Sequence, residues 1–236
     1  MDYKIVEVER KWLLKAVEWG CRIVMHAGDR ESMNQRSLTE RLDDIIMGEI
    51  GSTAVMQYLI GRGNNVIAYN NVREDEYRDP DPGWDLTVGP TSNGYFTLSV
   101  KASRIPKVDN DFMGLVMERR DFKVLVESDR IEWDLRSDYE VQVYFSLQSS
   151  VFDGVEDVSM RMVQDEDADM VLKRLRLPSR YGTCSICGFA SREAIVAHSR
   201  GLAKKGEDIK WTSHHAGSSK KMWIAPLSLG IINTER

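Results

Sequence analysis

Hydrophobic residues recur along this chain with a helical period in some segments and with strict alternation in others. Apolar positions across residues 6–25 lie near helical spacing, which predicts a first helix over that range. Ser37 and Glu40 match a capping box, so a second helix is predicted to begin there. This helix is predicted to run to about residue 60, where Gly61 and Gly63 can end it.

Four stretches of alternating apolar and β-branched residues predict β-strands. Asn93 and Gly94 stand between two of them and are typical of a tight hairpin turn, because both residue types accept positive φ. The predicted strands are residues 65–72, 84–88, 95–101 and 139–147.

Three more helices are predicted, over residues 109–122, over residues 167–177, and from a capping Ser191 to Gly201. The order helix, strand, hairpin, helix, strand predicts an α/β fold with a central mixed β-sheet flanked by helices. We expect residues 1–160 to form the core with its N-terminal helices. Residues 161–236 are expected to complete the same fold rather than to form a separate domain.

The composition is that of a soluble globular protein. Hydrophobic residues make up 42% of the 236 residues and charged residues 29%. No apolar run approaches the ~18 residues that a membrane span needs. Three cysteines are too few for a disulfide framework, which predicts a reducing cytoplasmic location.

The net charge of −5 is distributed unevenly along the chain. Residues 1–170 carry twenty Lys and Arg against thirty-three Asp and Glu, whereas residues 171–223 carry eleven against three. Four aromatic residues lie within the basic segment. An excess of positive charge in one segment favours contact with phosphates, although a solvated basic surface has the same composition.

The predicted hairpin carries the most informative side chains. Asp85 lies in its first strand and Lys101 ends its second, so pairing of the strands brings together two residues that are sixteen positions apart. Ser99 and Lys101 share one face because side chains alternate along a strand. A carboxylate, a hydroxyl and an ammonium group are therefore predicted to converge, and the backbone carbonyl of Val100 is a candidate metal ligand beside them.

Phosphodiester hydrolysis requires such a set of groups. A carboxylate can hold Mg²⁺, which neutralises phosphate charge and lowers the pKa of a bound water. A lysine beside the metal can orient or deprotonate the attacking water and stabilise the developing charge. The alternative is an ordinary strand aspartate with an edge-strand lysine.

The segment GWDL, followed by a hairpin and by Ser99-Val100-Lys101, resembles the active-site motif of the PD-(D/E)XK nuclease superfamily, and within it of type II restriction endonucleases. The resemblance extends from about residue 37 to residue 147. It implies a restriction endonuclease-like core, Asp85 as metal-binding aspartate and Lys101 as catalytic lysine. Pro80-Asp81 is the literal Pro-Asp pair of the motif, but it lies in the predicted loop.

The resemblance implies an activity and an assembly as well. It implies a Mg²⁺-dependent, site-specific endonuclease, a type II restriction enzyme that hydrolyses phosphodiester bonds in double-stranded DNA. Cutting both strands needs two active sites, so a homodimer is expected.

Ser99 departs from the family pattern, which has Asp or Glu two residues before the lysine. Two acids are candidates for the missing carboxylate. Glu49 lies on the second predicted helix, on a largely apolar face, where a carboxylate must be paired or bind a metal. Glu118 lies on the helix predicted after Lys101. A rim salt bridge is the alternative for Glu49.

Two further polar features have competing interpretations. Gln142, in the last predicted strand, points inward and either reaches a metal-bound water or DNA, or is a polar core residue with a backbone partner. Cys184 and Cys187, with His198 and the pair at 214–215 downstream, form either a zinc site or a buried core strand. The spacing of the histidines favours the core strand.

Candidate DNA contacts fall in two segments. A polar loop before the second helix could read base edges, and a basic, donor-rich segment near the C-terminus suits phosphate contact. The candidates are Arg30, Arg36, Lys204, Lys205, His214, Lys220 and Lys221.

Two other functions are compatible with the same residues. One is a nuclease of DNA repair or a structure-specific nuclease of the same superfamily. The other is a DNA-binding module without catalytic activity, for which Ser99 is the supporting feature.

Overall fold

The structure, a computed structural model, describes residues 3–28, 35–79, 81–91, 94–106, 121–124, 135–147, 151–204 and 223–226. The strands are β1 (Lys4–Glu7), β2 (Val66–Ala68), β3 (Leu86–Thr91), β4 (Gly94–Pro106), β5 (Asp121–Val124), β6 (Tyr139–Leu147), β7 (Thr183–Ser191) and β8 (Trp223–Pro226). The helices are α1 (Arg10–Val24), α2 (Leu38–Gly61), α3 (Met160–Gln164), α4 (Ala168–Arg174), α5 (Leu177–Tyr181) and α6 (Arg192–Lys204), with a 3₁₀ turn at Tyr69–Asn71.

Six strands form one mixed sheet in the order β1-β7-β6-β4-β3-β2. Strands β2, β3 and β4 are antiparallel to one another, and β6 runs parallel to β4. Strands β5 and β8 pair in a separate two-stranded sheet. The predicted α/β class, a central mixed sheet flanked by helices, is confirmed.

Helix α2 packs closely on the middle of this sheet. A Cβ added at Gly51 would lie 3.0 Å from the Cβ of Ala102 and 3.6 Å from a methyl group of Val100, so glycine permits the close approach. Val100, Ala102 and Val143 therefore face α2. By alternation, the opposite face of β4 and β6 carries polar residues, namely Ser99, Lys101, Ser103, Glu140 and Gln142.

A buried network of charges joins α2 to β4 and α5. Asp43, which is fully buried, accepts hydrogen bonds from Arg104, Arg180 and the hydroxyl of Tyr181 at 2.6 to 2.9 Å. A buried carboxylate must be compensated in this way, because leaving it unpaired costs several kcal/mol. The network fixes the end of β4 that lies beyond the candidate site.

Several predicted elements are confirmed. The capping box at Ser37 and Glu40 is present, and α2 ends at Gly61. Strand β6 has the predicted bounds, and β3 and β4 pair antiparallel as the predicted hairpin requires, while Asn93 of its turn lies outside the described residues. The side chain of Ser191 accepts a hydrogen bond from the backbone of Ala194, as its capping role requires.

The predicted start of the first helix, at residue 6, was wrong. Residues 4–7 form β1, which pairs with the edge of β7, and the helix begins only at Arg10. Strand β1 forms by pairing with a strand about 180 positions away, and the local periodicity of hydrophobic residues gives no indication of such a distant pairing.

Other bounds also differ. Strand β2 ends at Ala68 because a 3₁₀ turn follows, β3 begins at Leu86, and β4 continues past Lys101 to Pro106. The predicted helix over 167–177 is divided, because α4 ends at Arg174 and α5 follows a left-handed residue. Helix α6 does not close at residue 201 but continues to Lys204.

The predicted helix over 109–122 falls mostly outside the described residues. Its last two residues are not helical, because β5 begins at Asp121.

Cys184 and Cys187 lie within β7 and are fully buried, which agrees with the core-strand interpretation. Burial raises the pKa of the Cys184 thiol to about 12 and that of Cys187 to about 11. The pair at 214–215, which the zinc interpretation needs, lies outside the described residues. Among the described residues, no helix is both long enough and apolar enough to cross a membrane.

Candidate active site

Asp85 is held at the start of the hairpin by backbone hydrogen bonds. It lies one residue before β3 rather than within it. Its N–H donates to the carbonyl of Leu98 at 2.8 Å, and its carboxylate accepts from the N–H of Val100 at 2.6 Å. Because Leu86 pairs with Leu98, Asp85 stands opposite Ser99. The backbone of β4 thus fixes this carboxylate in place.

Lys101 lies on the same face of β4, two residues beyond Ser99. Its ammonium group donates to the hydroxyl of Ser99 at 2.6 Å. Burial raises the pKa of Asp85, while the positive charge of Lys101 and the N–H of Val100 oppose that shift. The predicted convergence of Asp85, Ser99 and Lys101 is therefore present.

Glu49 reaches the same region from α2. Its carboxylate accepts a hydrogen bond from the amide of Asn70 at 2.7 Å. Burial raises the pKa of Glu49 well above its ordinary value, and the negative charges of Asp85 and Asp81 raise it further. The alternative interpretation, a rim salt bridge, does not describe this contact, because the hydrogen-bond donor to Glu49 is the neutral amide of Asn70.

Three carboxylates line one small cleft between α2 and the start of β3. The cleft holds about 10 Å³, close to the space that a single water molecule needs. Glu49, Asp81 and Asp85 supply its acidic wall. Its other lining residues are Trp19, Ser52, Ala68, Tyr69 and Asn70.

Arg73 organises the loop that carries Asp81. Its side chain is only 4% exposed and lies between the rings of Tyr69 and Tyr77, 5.0 and 4.4 Å from their centres. The guanidinium group donates to both oxygens of Asp75. It also contacts Asp81 at 3.4 Å and the side-chain oxygen of Asn70 at 3.2 Å. Through Asn70, it is connected to Glu49.

Glu140 is an acidic neighbour that the sequence did not single out. It is 4% exposed and pairs in register with Ser99 across the parallel β4–β6 ladder. Its position follows from the pairing of two strands about forty residues apart, which a single sequence does not reveal. The sequence also did not predict Asp81, Asn70 and Arg73 as part of the site. Pro80-Asp81 matched the Pro-Asp pair of the motif but was assigned to a loop.

Gln142 has the role of a polar core residue. It is fully buried, and its amide donates to the backbone carbonyls of Lys101 and Val143 at 2.9 and 3.0 Å. These hydrogen bonds agree with the polar-core interpretation, while contact with a metal-bound water or with DNA stays a prediction.

The predicted DNA contacts are mostly outside the described residues. This applies to Arg30, Lys205, His214, Lys220 and Lys221, and also to Glu118, the second candidate for the missing carboxylate. Lys204 is the last residue of α6. Arg36 precedes α2 and donates to the carboxylate of Asp44 at 2.6 Å, with 29% of its side chain exposed.

The donor set of the cleft suits a small, hard cation. Mg²⁺ prefers oxygen ligands, keeps several of its waters and is usually held by one or two carboxylates. Glu49 and Asp85 line the same cleft, where burial raises the pKa of both carboxyl groups. Among the described residues, no group of three or more His, Cys, Asp or Glu could hold a metal ion. A hydrated cation on two carboxylates therefore fits better than an all-protein cage.

Comparisons with protein-family models, with curated proteins and with solved structures found no match to this chain. The function is therefore inferred from the site geometry and from the resemblance of its motif.

Proposed function

We propose that this chain is a Mg²⁺-dependent endonuclease that hydrolyses phosphodiester bonds in DNA. The observation that carries the proposal is the placement of Asp85, Ser99 and Lys101 at one position on the hairpin, next to Glu49 on the packed helix. A fixed carboxylate, a helical carboxylate and a lysine beside one cleft are the groups that metal-assisted phosphodiester hydrolysis requires.

The order of elements supports the resemblance to PD-(D/E)XK nucleases. Helix α2 precedes three antiparallel strands, and β6 lies parallel to β4 on its other side. Asp85 directly precedes the first hairpin strand and Lys101 lies in the second, in the order that the motif implies. This agreement concerns about a hundred residues, from the start of α2 to the end of β6.

Each group has a distinct part in the proposed reaction. A bound Mg²⁺ would neutralise phosphate charge and make a water more acidic. Asp85 and Glu49 would hold it, with the carbonyl of Val100 as a further candidate ligand. Lys101 would orient the attacking water and stabilise negative charge on the phosphate. Ser99 accepts the hydrogen bond that holds the ammonium group of Lys101.

The finer proposal is a type II restriction enzyme acting as a homodimer on double-stranded DNA. A duplex cut requires two active sites, which a dimer supplies with one site in each subunit. The excess of positive charge in residues 171–223 supports contact with the DNA backbone. We propose that this segment contributes most of the salt-dependent affinity.

The deciding experiment is incubation of the full chain with phage DNA and Mg²⁺, with a chelator in the control. Discrete fragments that disappear on chelation are the expected result. A smear, or cutting confined to branched DNA, would replace restriction by a repair function. A gel shift without cleavage in Mg²⁺ would contradict the nuclease proposal and favour a DNA-binding module.

Replacing Arg73 with lysine should weaken the metal site without touching a proposed ligand. Lysine keeps the charge but cannot form the bidentate fork to Asp75 or stack between the two rings. Loss of a supporting residue of this kind costs about 10-fold or more in metal affinity. Calorimetric titration with Mn²⁺ checks this, with folding verified by circular dichroism.

The matched control is Arg78→Lys, because Arg78 lies on the same loop but is exposed, and its salt bridge within the described part of the chain is to Glu76. Equal Mn²⁺ affinities for the two variants would show that the Arg73 contacts do not position Glu49 or Asp81.

A further inference from the structure

Glu140 lies on the opposite side of Ser99 from Asp85. Ser99 pairs with Glu140 on β6, and Asp85 stands opposite Ser99 on the β3 side. The three residues therefore form a row across three adjacent strands, with the smallest side chain in the middle.

One oxygen of the Glu140 carboxylate is buried without a hydrogen-bond partner. Oε1 accepts from the hydroxyl of Ser137 at 2.7 Å. Oε2 is buried and no described residue reaches it with good hydrogen-bond geometry, although the hydroxyl of Ser99 lies close enough to lower the pKa of this carboxylate. Most buried polar side-chain atoms have a partner, so a carboxylate oxygen left in this state needs an explanation.

Strand register places Glu140 beside the candidate site. Its partner Ser99 accepts the hydrogen bond from the ammonium group of Lys101 at 2.6 Å and stands opposite Asp85. Burial raises the pKa of Glu140, and the positive charge of Lys101 and the hydroxyls of Ser137 and Ser99 oppose that shift.

We propose that Glu140 supplies the carboxylate that β4 lacks at Ser99, and that its Oε2 accepts a hydrogen bond from a water bound to the divalent cation rather than binding the cation itself. The inference rests on the proposed nuclease function. It moves the missing acid to the adjacent strand, at the same register position, and leaves Glu49 as the helical carboxylate. Neither Glu49, which already accepts from Asn70, nor Glu118 is then needed as the replacement.

The test is Glu140→Gln in the full chain, with Mn²⁺ binding measured by calorimetry in the absence of DNA. Glutamine has the same shape and can still accept from Ser137, so the fold should persist. We expect Mn²⁺ affinity to fall by at least about tenfold. The melting temperature without metal should stay level or rise, because an uncompensated buried charge is removed. Glu193→Gln, at an exposed position in α6, is the matched control.

A second variant tests the equivalence of the two positions. Ser99→Asp combined with Glu140→Gln returns a carboxylate to β4 and should recover at least half of the lost Mn²⁺ affinity on a logarithmic scale. No recovery would overturn the idea that Glu140 stands in for position 99.

Two results for the single variant would also overturn the proposal. One is Mn²⁺ affinity equal to that of the unmodified chain. The other is a lower melting temperature with unchanged Mn²⁺ affinity, which is the signature of a structural ion pair with Lys101. Failure of the nuclease proposal is recognised separately, because the unmodified chain would then bind Mn²⁺ but leave DNA intact in Mg²⁺.

Discussion

Asp85→Asn should abolish DNA cleavage while leaving DNA binding intact or tighter. Asparagine keeps the hydrogen bond from the N–H of Val100 but loses the charge that holds the cation. A bound metal contributes several kcal/mol of charge stabilisation, and about 1.4 kcal/mol corresponds to tenfold in rate, so a loss of at least ~10³-fold is expected. Removing a carboxylate also removes repulsion from the phosphates. Single-turnover cleavage and a gel-shift assay measure the two effects.

The same substitution should stabilise the metal-free protein at neutral and alkaline pH. The pKa of Asp85 is raised by burial, so its folded-state value lies above its unfolded value. A carboxyl group with a raised pKa stabilises the folded state most at a pH below its unfolded-state pKa. This stabilisation is lost as the pH rises through its folded-state pKa. Asparagine has no charge to bury. The melting temperature of the Asp85→Asn variant should exceed that of the unmodified chain at pH 8, and the difference should shrink towards acid pH.

Asp153→Asn is the matched control, because Asp153 lies exposed in the turn before α3. It should cleave at the unmodified rate and melt at the unmodified temperature. Cleavage by Asp85→Asn within tenfold of the unmodified chain would rule out Asp85 as the central metal ligand.

The hairpin and the helix before it could be predicted because their signals are local. A capping box, a terminal glycine and an Asn-Gly turn each act over a few residues. Once the hairpin is known, the alternation of side chains brings Ser99 and Lys101 to one face of β4. The pairing of the two strands then places Asp85 across from Ser99. This part of the site therefore followed from the sequence, although the predicted strand ends differ by up to five residues, at the end of β4.

The rest of the site depends on contacts between distant segments. Strand β1 forms only because β7 offers an edge, and Glu140 joins the site only through the register of β4 and β6. The packing of Arg73 between the rings of Tyr69 and Tyr77 depends on a loop geometry in which Tyr77 adopts a positive φ of 65°. Residues placed by such tertiary contacts leave no periodic signal in a single sequence.

Lys101→Met should reduce cleavage by about 10² to 10⁴-fold, the usual contribution of a general base or charge-stabilising group. Methionine keeps most of the length and apolar volume of the lysine stem but has no ammonium group to donate to Ser99. DNA binding should change little, because the proposed phosphate contacts of the basic segment remain. Single-turnover rates at saturating Mg²⁺ separate this loss from a change in metal affinity.

Lys101→Met should also lower the stability of the metal-free protein, opposite in sign to Asp85→Asn. The charge of Lys101 lowers the pKa of Asp85 and of Glu140, so its removal raises both values further. Carboxyl groups with raised pKa values weaken the folded state as the pH rises through those values. The melting temperature should therefore fall at pH 8 and approach that of the unmodified chain in acid. Lys173→Met, exposed near the end of α4, serves as the control. A Lys101→Met chain that is more stable at pH 8, or that cleaves within tenfold of the unmodified rate, would show that the ammonium group does not compensate these carboxylates.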